Sequence, residues 1–326
     1  MSELRQKILS AVKSDLDDIE KALSDNLNPY LDLVSDVAGH LLFSGGKRLR
    51  PLLMVLAARM CGYAGDYDKT FSTALEYLHT ATLLHDDLVD EAAMRRGKPV
   101  AHSTWGNSIT VLVGDYLLAR ALSISAGTGR LRVVKVLAEL TENMSQGEVH
   151  QLMRKGDITL TEDEYMVVIR RKTAVLFEAA CRVSAIIADA PGEKEKALAE
   201  FGDNLGIAFQ MADDLFDYTL QTAELGKEVG ADLREGKLTL PVIYALEHAQ
   251  AADRDEMIKI IRNDQFTVEE FNILVKLLDQ YGGIRYTQKT AAGYIETAKA
   301  ALSVFEPSPA KDTMLDIADY ALARRV

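Results

Sequence analysis

Two stretches of the chain carry aspartates at a spacing that chemistry can use. His85-Asp86-Asp87-Leu88-Val89-Asp90 and Ala212-Asp213-Asp214-Leu215-Phe216-Asp217 both read Asp-Asp-x-x-Asp. On a helix, residues four apart project about 40° from one another, and adjacent ones about 100°. Asp86 and Asp90 therefore share a face with Asp87 on its flank, and Asp213, Asp217 and Asp214 repeat the pattern. Like charges one turn apart cost a few tenths of a kcal/mol in water and far more when desolvated. Both triads lie in apolar sequence: Leu83, Leu84, Leu88 and Val89 around the first, Phe209, Met211, Leu215 and Phe216 around the second. Carboxylates in such surroundings need cations. Hard oxygen donors favour magnesium, which completes its octahedron with waters and substrate phosphates. One copy alone reads as a solvated helix face; two copies inside apolar helices do not.

Basic residues recur around these clusters. Ser44-Gly45-Gly46-Lys47-Arg48-Leu49-Arg50-Pro51 sets three cations after a glycine pair, where backbone amides and charged side chains can meet an anion. Arg95-Arg96-Gly97 follows the first aspartates, Lys172-Thr173 falls within a helical stretch, and Lys227 and Lys237 border the segment from Gly226 to Gly236. His79 precedes Asp86 by two helical turns on nearly the same face, and Gln210 can offer its amide oxygen one turn before Asp213. Carboxylate clusters, cations and an apolar wall are needed together where a hydrocarbon bearing a diphosphate is transferred.

The elements that must position these residues read as helices. Only 7 prolines interrupt the chain, and the stretches between them are rich in Ala, Leu, Met, Glu and Lys. Thr161 with Glu164 forms a capping box, followed by Tyr165, Val168, Ile169 and Leu176 at helical spacing. Asp189-Ala190-Pro191-Gly192 stops that helix, and another runs from about Glu193 to Tyr218. The segment from Phe71 to Glu91 repeats apolar residues on one face at Phe71, Leu75, Leu78 and Thr82. Alternating β-branched runs are missing, so a sheet is hard to place, and no Gly/Ser-rich linker divides the 326 residues. The expectation is one all-α domain, residues 1–326, whose halves bring the aspartate segments face to face.

Bulk properties exclude some functions. A net charge of -12 argues against a general nucleic-acid binder, which needs a basic face. Cys61 and Cys181 stand far apart without a CxxC pattern, which excludes a disulfide framework and suits a reducing cytosol. The N-terminal stretch is charged throughout, unlike a signal peptide, and no apolar run reaches the ~18 to 20 residues that span a bilayer. A soluble, cytoplasmic protein is expected.

With these blocks in order, the sequence resembles the trans-polyprenyl diphosphate synthase family. The resemblance rests on GGKRLRP (45–51), LLHDDLVDEAAMRRG (83–97), GDYLLARA (114–121), GE (147–148), KTA (172–174), FQMADDLFDY (209–218) and GKLTLP (236–241). It implies a single-domain helical bundle around a deep central cavity, of the isoprenoid synthase type, and a homodimer. It further implies that Asp86 and Asp90, supported by Asp87, bind magnesium that holds an allylic diphosphate. Asp213 would bind a further magnesium, with Asp214 and Asp217 completing the motif, three Mg2+ ions in all when substrate is present. Lys47, Arg50, His79 and Arg96 would hold isopentenyl diphosphate; Arg95, Lys172, Lys227 and Lys237 would contact the allylic diphosphate; Thr173 and Gln210 would turn oxygens toward the allylic cation. In the family a bulky aromatic four or five residues before the first aspartate gives short products. Here those positions are Thr82 and Ala81, with Ala74 further along, all small. A long-chain product for quinone side chains is expected, with Tyr77, Leu78, Leu140 and Met144 as candidates for the cavity floor. A C15–C20 synthase, a terpene cyclase or a subunit of a heteromeric synthase are the alternatives. A cyclase would carry a different second motif and no isopentenyl site, and heteromeric subunits usually lose motif carboxylates.

Overall fold

The computed structural model describes residues 3–219 and 230–323. Lys227 lies outside the described residues. Helices α1 (Glu3–Asn26), α2 (Asp32–Leu42), α3 (Leu49–Met60) and α4 (Tyr67–Val89) lead into a short hairpin, β1 (Met94–Arg95) and β2 (Lys98–Pro99). Then come α5 (Ala101–Trp105), α6 (Asn107–Gly127), α7 (Leu131–Met153), α8 (Glu162–Ile169), a π-helical turn (Arg170–Ala174), α9 (Val175–Ile187) and α10 (Gly192–Thr219). Beyond residue 230 lie α11 (Ala231–Arg234), α12 (Leu240–His248), α13 (Ala251–Ile261), α14 (Val268–Gln280), α15 (Gly283–Ala301), a single 3-10 turn, and α16 (Pro309–Ala323). The fold is all-helical.

The chain groups into two compact units. The first comprises Met1–Thr141, Leu176–Gly202 and Ala301–Ile317; the second comprises Glu142–Val175, Asp203–Ala300 and Ala318–Val326. In the first, α4 packs on α6, α3 and α1. Every residue of α4 from Phe71 to Leu78 is buried, so its middle is enclosed, and beyond it Ala81, Leu84 and Asp87 continue one buried face at every third position. Eight consecutive residues of α3, Pro51 to Ala58, are buried, so that helix is enclosed on all sides. In the second unit the Thr161–Glu164 capping box is present, with a like box at Thr267 and Glu270 starting α14. The break at Asp189 falls as the breaker predicts: that residue takes φ 48°, and α10 begins at Gly192.

Three findings refine the sequence reading. The helix after Thr161 is interrupted by the π turn at Arg170–Ala174, which brackets Lys172 and Thr173. Arg95-Arg96-Gly97-Lys98 forms a two-residue hairpin; Arg96 and Gly97 both have positive φ, 52° and 74°, as a type I′ turn requires. Finally, α6 is long and apolar enough to cross a membrane, with a mean hydropathy of 1.4, although Asp115 and Arg120 break up its apolar run.

Candidate active site

In the first unit, α4 ends within the first aspartate cluster. The Asp90 N–H donates to the Asp86 carbonyl at 2.8 Å and Asp90 caps the helix, so Asp86 and Asp90 stand one turn apart, both half-buried. Asp87 turns inward, and its Oδ1 accepts from Arg95 Nε at 2.6 Å. Burial raises the Asp87 pKa even though the Arg95 guanidinium pulls it down. Arg95, expected on the allylic diphosphate, is thus bonded to a carboxylate of the same cluster. Gly114 on α6 lets the neighbouring His85 lie close: a Cβ there would sit 2.3 Å from His85 Nε2.

The cations expected on isopentenyl diphosphate meet in the same unit. Arg50 Nη1 donates to His79 Nε2 at 3.1 Å, and its guanidinium lies 4.8 Å over the Phe177 ring. Burial and the surrounding Arg50, Arg96, Arg95 and Arg48 hold the His79 pKa far below the usual imidazole range. His79 is therefore neutral and accepts through Nε2. Arg96 reaches across to the glycine pair, donating to the Gly45 carbonyl and, at 3.4 Å, to Ser44 Oγ. Lys47 is exposed beside them. Ala81 is fully buried, and Thr82 Oγ1 is bonded to the His79 carbonyl at 2.8 Å. Tyr77, a candidate floor residue, donates its hydroxyl to the Leu23 carbonyl of α1 at 2.7 Å.

In the second unit, Asp214 is buried on α10 and fully engaged. Tyr165 donates to its Oδ2 at 2.6 Å, and the Gln210 amide to its Oδ1 at 2.7 Å. Thr173 Oγ1 donates in turn to Gln210 Oε1 at 2.8 Å. The resemblance implies that Thr173 and Gln210 turn oxygens toward an allylic cation; the structure shows the two hydrogen-bonded to each other. Burial, and then the nearby Asp232 charge, raise the Asp214 pKa. Asp217 is also buried: its two oxygens accept the backbone N–H groups of Ala231 at 3.2 Å and Asp232 at 3.0 Å, tying α10 to the first turn of α11. Lys172, held in the π turn, is bonded to Glu148 Oε2 and to Gln151 Oε1 at 2.8 Å. Lys237 meets Glu235 at 2.7 Å.

Lys172, Thr173, Gln210, Asp214 and Lys237 line one cavity of about 180 Å³, together with Tyr165 and Asp232. Sequence reasoning missed those last two. Tyr165 entered only as an apolar helix position, and nothing near Asp232 signalled that its charge lies beside Asp214.

Among the described residues, no three Asp, Glu, His or Cys side chains converge to hold a metal by themselves. The all-carboxylate donors suit magnesium, which takes one or two carboxylates and keeps its remaining positions for water and phosphate. The residues fit that ion.

Comparison with known proteins places the chain in a family. The family model described as polyprenyl synthetase matches residues 31–278. The chain is 39% identical over 319 residues to the octaprenyl diphosphate synthase of Escherichia coli, covering 98% of each. It is 36% identical to the all-trans-nonaprenyl-diphosphate synthase (geranyl-diphosphate specific) of Rhodobacter capsulatus, covering 99% of this chain and 98% of the other. Among solved structures, a polyprenyl synthase from Caulobacter crescentus complexed with calcium and isoprenyl diphosphate superposes with a TM-score of 0.93 at 38% identity, covering 98% of each chain. Fold and site define the all-helical isoprenoid synthase class. The chain belongs to the polyprenyl synthetase family, and within it is a trans-polyprenyl diphosphate synthase, a prenyltransferase.

Proposed function

We propose that the protein condenses isopentenyl diphosphate head-to-tail with an allylic diphosphate, farnesyl or geranylgeranyl diphosphate, to give a long-chain all-trans polyprenyl diphosphate for quinone side chains. The observation that carries this reading recurs in each compact unit: carboxylates on an apolar helix beside a group of cations. Asp86, Asp87, Asp90, Asp213, Asp214 and Asp217 form the magnesium motifs, three ions serving each site. Magnesium, when bound, neutralises the diphosphates and polarises the bond that breaks. Calcium in the Caulobacter relative is a hard divalent cation of the same kind.

The protein's own residues do the rest. Lys172, Arg95, Lys227 and Lys237 add charge-assisted hydrogen bonds to the leaving diphosphate as its charge grows. The hydrogen bond from Thr173 to Gln210 orients two oxygen dipoles in the cavity, where they favour an allylic cation. Apolar walls keep water away from that cation. Lys47, Arg50, His79 and Arg96 hold isopentenyl diphosphate, and neutral His79 accepts from Arg50 rather than adding a further positive charge. Holding two diphosphates side by side against their repulsion accounts for much of the rate. The proton released at the end goes to the departing diphosphate; no side chain in the motifs is placed as a dedicated base.

Product length follows from Ala81 and Thr82. One helical turn rises about 5.4 Å, near the length of an extended isoprene unit, so small residues leave room for on the order of six to nine units. The octaprenyl and nonaprenyl relatives support this range. The exposed apolar residues Val111 and Leu112 of α6 support a homodimer. The enzyme works in the cytosol, with transient membrane contact for release of product. The test is incubation of the purified chain with farnesyl and isopentenyl diphosphates and magnesium, products being resolved after phosphatase treatment. Long-chain alcohols are expected, and Ala81→Tyr should shorten them to about three or four units, because its ring fills roughly one helical turn of wall. Cyclic products, or no turnover by the chain alone, would sink the reading; unchanged length in Ala81→Tyr would sink the wall argument.

A further inference from the structure

The middle cation of Lys47-Arg48-Leu49-Arg50 does not join its neighbours. Arg48 has φ 44°, a left-handed backbone that residues other than glycine seldom adopt, and its side chain is only 4% exposed. Nε and Nη2 donate to the two oxygens of Glu20 at 2.5 and 3.1 Å, Nη1 donates to Glu76 Oε1 at 2.8 Å, and Nη2 also donates to the Leu42 carbonyl. A guanidinium has five N–H donors in a fixed fork, and these contacts use four of them. Arg48 is committed inward and cannot also serve an anion outside.

The partners explain the arrangement. Glu76 lies one turn before His79 on α4, and His79 accepts from Arg50. The loop is thus fastened to α4 at two neighbouring points, Arg48 on Glu76 and Arg50 on His79. Burial lowers the Arg96 pKa, and the nearby Arg48 and Arg95 lower it further; Glu76 works against all three and so offsets the crowding of positive charge. Glu20 comes from α1, outside the 31–278 family match, and its side chain remains 46% exposed. The same helix holds Arg59 through Asp15 at 2.6 Å and receives the Tyr77 hydroxyl.

We propose that Arg48 is a positioning residue for isopentenyl diphosphate: clamped by Glu20 of α1 and Glu76 of α4, it fixes the loop that presents Lys47 and Arg50. The N-terminal helix is thereby a working part of that subsite. This rests on the assignment of Lys47, Arg50, His79 and Arg96 to isopentenyl diphosphate. The test uses Glu20→Gln, a mild change at a half-exposed side chain, and Arg48→Lys, which keeps the charge and loses the fork. Binding of isopentenyl diphosphate alone is measured by calorimetry, with the melting temperature and steady-state constants for both substrates. Each variant should bind isopentenyl diphosphate about tenfold more weakly, the factor that loosening one charge-assisted hydrogen bond carries. The KM for farnesyl diphosphate and the kcat at saturation should stay at the wild-type level, since only ground-state positioning of one substrate is lost. Wild-type affinity in Glu20→Gln, or equal weakening of both substrates alongside a lower melting temperature, overturns the positioning role. A wild-type chain that gives no binding heat with isopentenyl diphosphate overturns the subsite assignment itself, a separate outcome.

Discussion

Asp87 and Asp214 occupy the same place in their two motifs, and both are buried while Asp86 and Asp90 remain half-exposed. The half-exposed carboxylates are the ones a cation with its water and phosphate can reach, whereas the buried pair holds its neighbours: Arg95 on Asp87, and Tyr165 with Gln210 on Asp214. Asp86→Ala or Asp213→Ala should therefore lower turnover by orders of magnitude while circular dichroism shows unchanged helicity. Near-normal rates in either variant, at ordinary magnesium, would remove that carboxylate from the site. The buried pair makes a second prediction. Burial raises the pKa of each, so the folded metal-free chain keeps protons that the unfolded chain has already released. Stability contributed this way is complete below the ordinary carboxylate pKa and is lost as pH rises through the raised one. A bound cation relieves that loss by favouring the ionised forms. Magnesium should thus raise the melting temperature more at about pH 8 than at about pH 5.5. Equal stabilisation at both, by scanning calorimetry, would show that neither proton is linked to the metal.

The π turn that carries Lys172 and Thr173 depends on close helix approach. A Cβ on Gly206 of α10 would lie 2.5 Å from the Ala174 Cα, and one on Gly147 of α7 would lie 3.0 Å from the Lys172 backbone nitrogen. Backbone, unlike a side-chain tip, cannot swing aside. Gly206→Ala should destabilise by about 1–3 kcal/mol through overpacking and should lower kcat by disturbing the Thr173–Gln210 bond. Gly293→Ala on α15 meets nothing within 4 Å and should be stabilising by up to about 1 kcal/mol, as alanine is in a helix interior. The prediction fails if the two substitutions shift the melting temperature alike. This contrast also marks what the sequence could tell. The course of α4, the Thr161 cap and the stop at Asp189 were legible because periodicity, a capping box and a Pro-Gly pair are local signals. The π turn was not, because two distant glycines grip it. Arg48 read only as one of three cations after a glycine pair, because its partner Glu20 lies 28 residues away in sequence and no local signal joins them. Asp217 reads as the third carboxylate of its motif; that its two oxygens also accept backbone amides of α11 had no local signal, because Ala231 and Asp232 lie 14 and 15 residues further on.

At the scale of the whole molecule, α6 keeps an exposed apolar face at Val111 and Leu112. Its length and hydropathy fit a membrane span, yet Asp115 and Arg120 sit near its middle. A charge there costs about 2.5–3.5 kcal/mol in hydrocarbon, which weighs against insertion. Leu112, Ala119 and Ala126 are exposed and recur every seven residues, a seam of the kind on which two helices pack. Small alanines permit close approach, and Leu112, 65% exposed, supplies the apolar contact. A helix of 21 residues is about 31 Å long, enough for a pair of them to anchor an interface of ordinary size. A homodimer built on this face uses every one of these features, whereas a lipid surface must accommodate the two charges. Leu112→Glu should convert a dimer to a monomer in sedimentation velocity while leaving the fold intact, since an exposed substitution shifts stability by only about half a kcal/mol. A wild-type monomer that floats with phospholipid vesicles, or a Leu112→Glu variant that stays dimeric, would give the α6 face to another role.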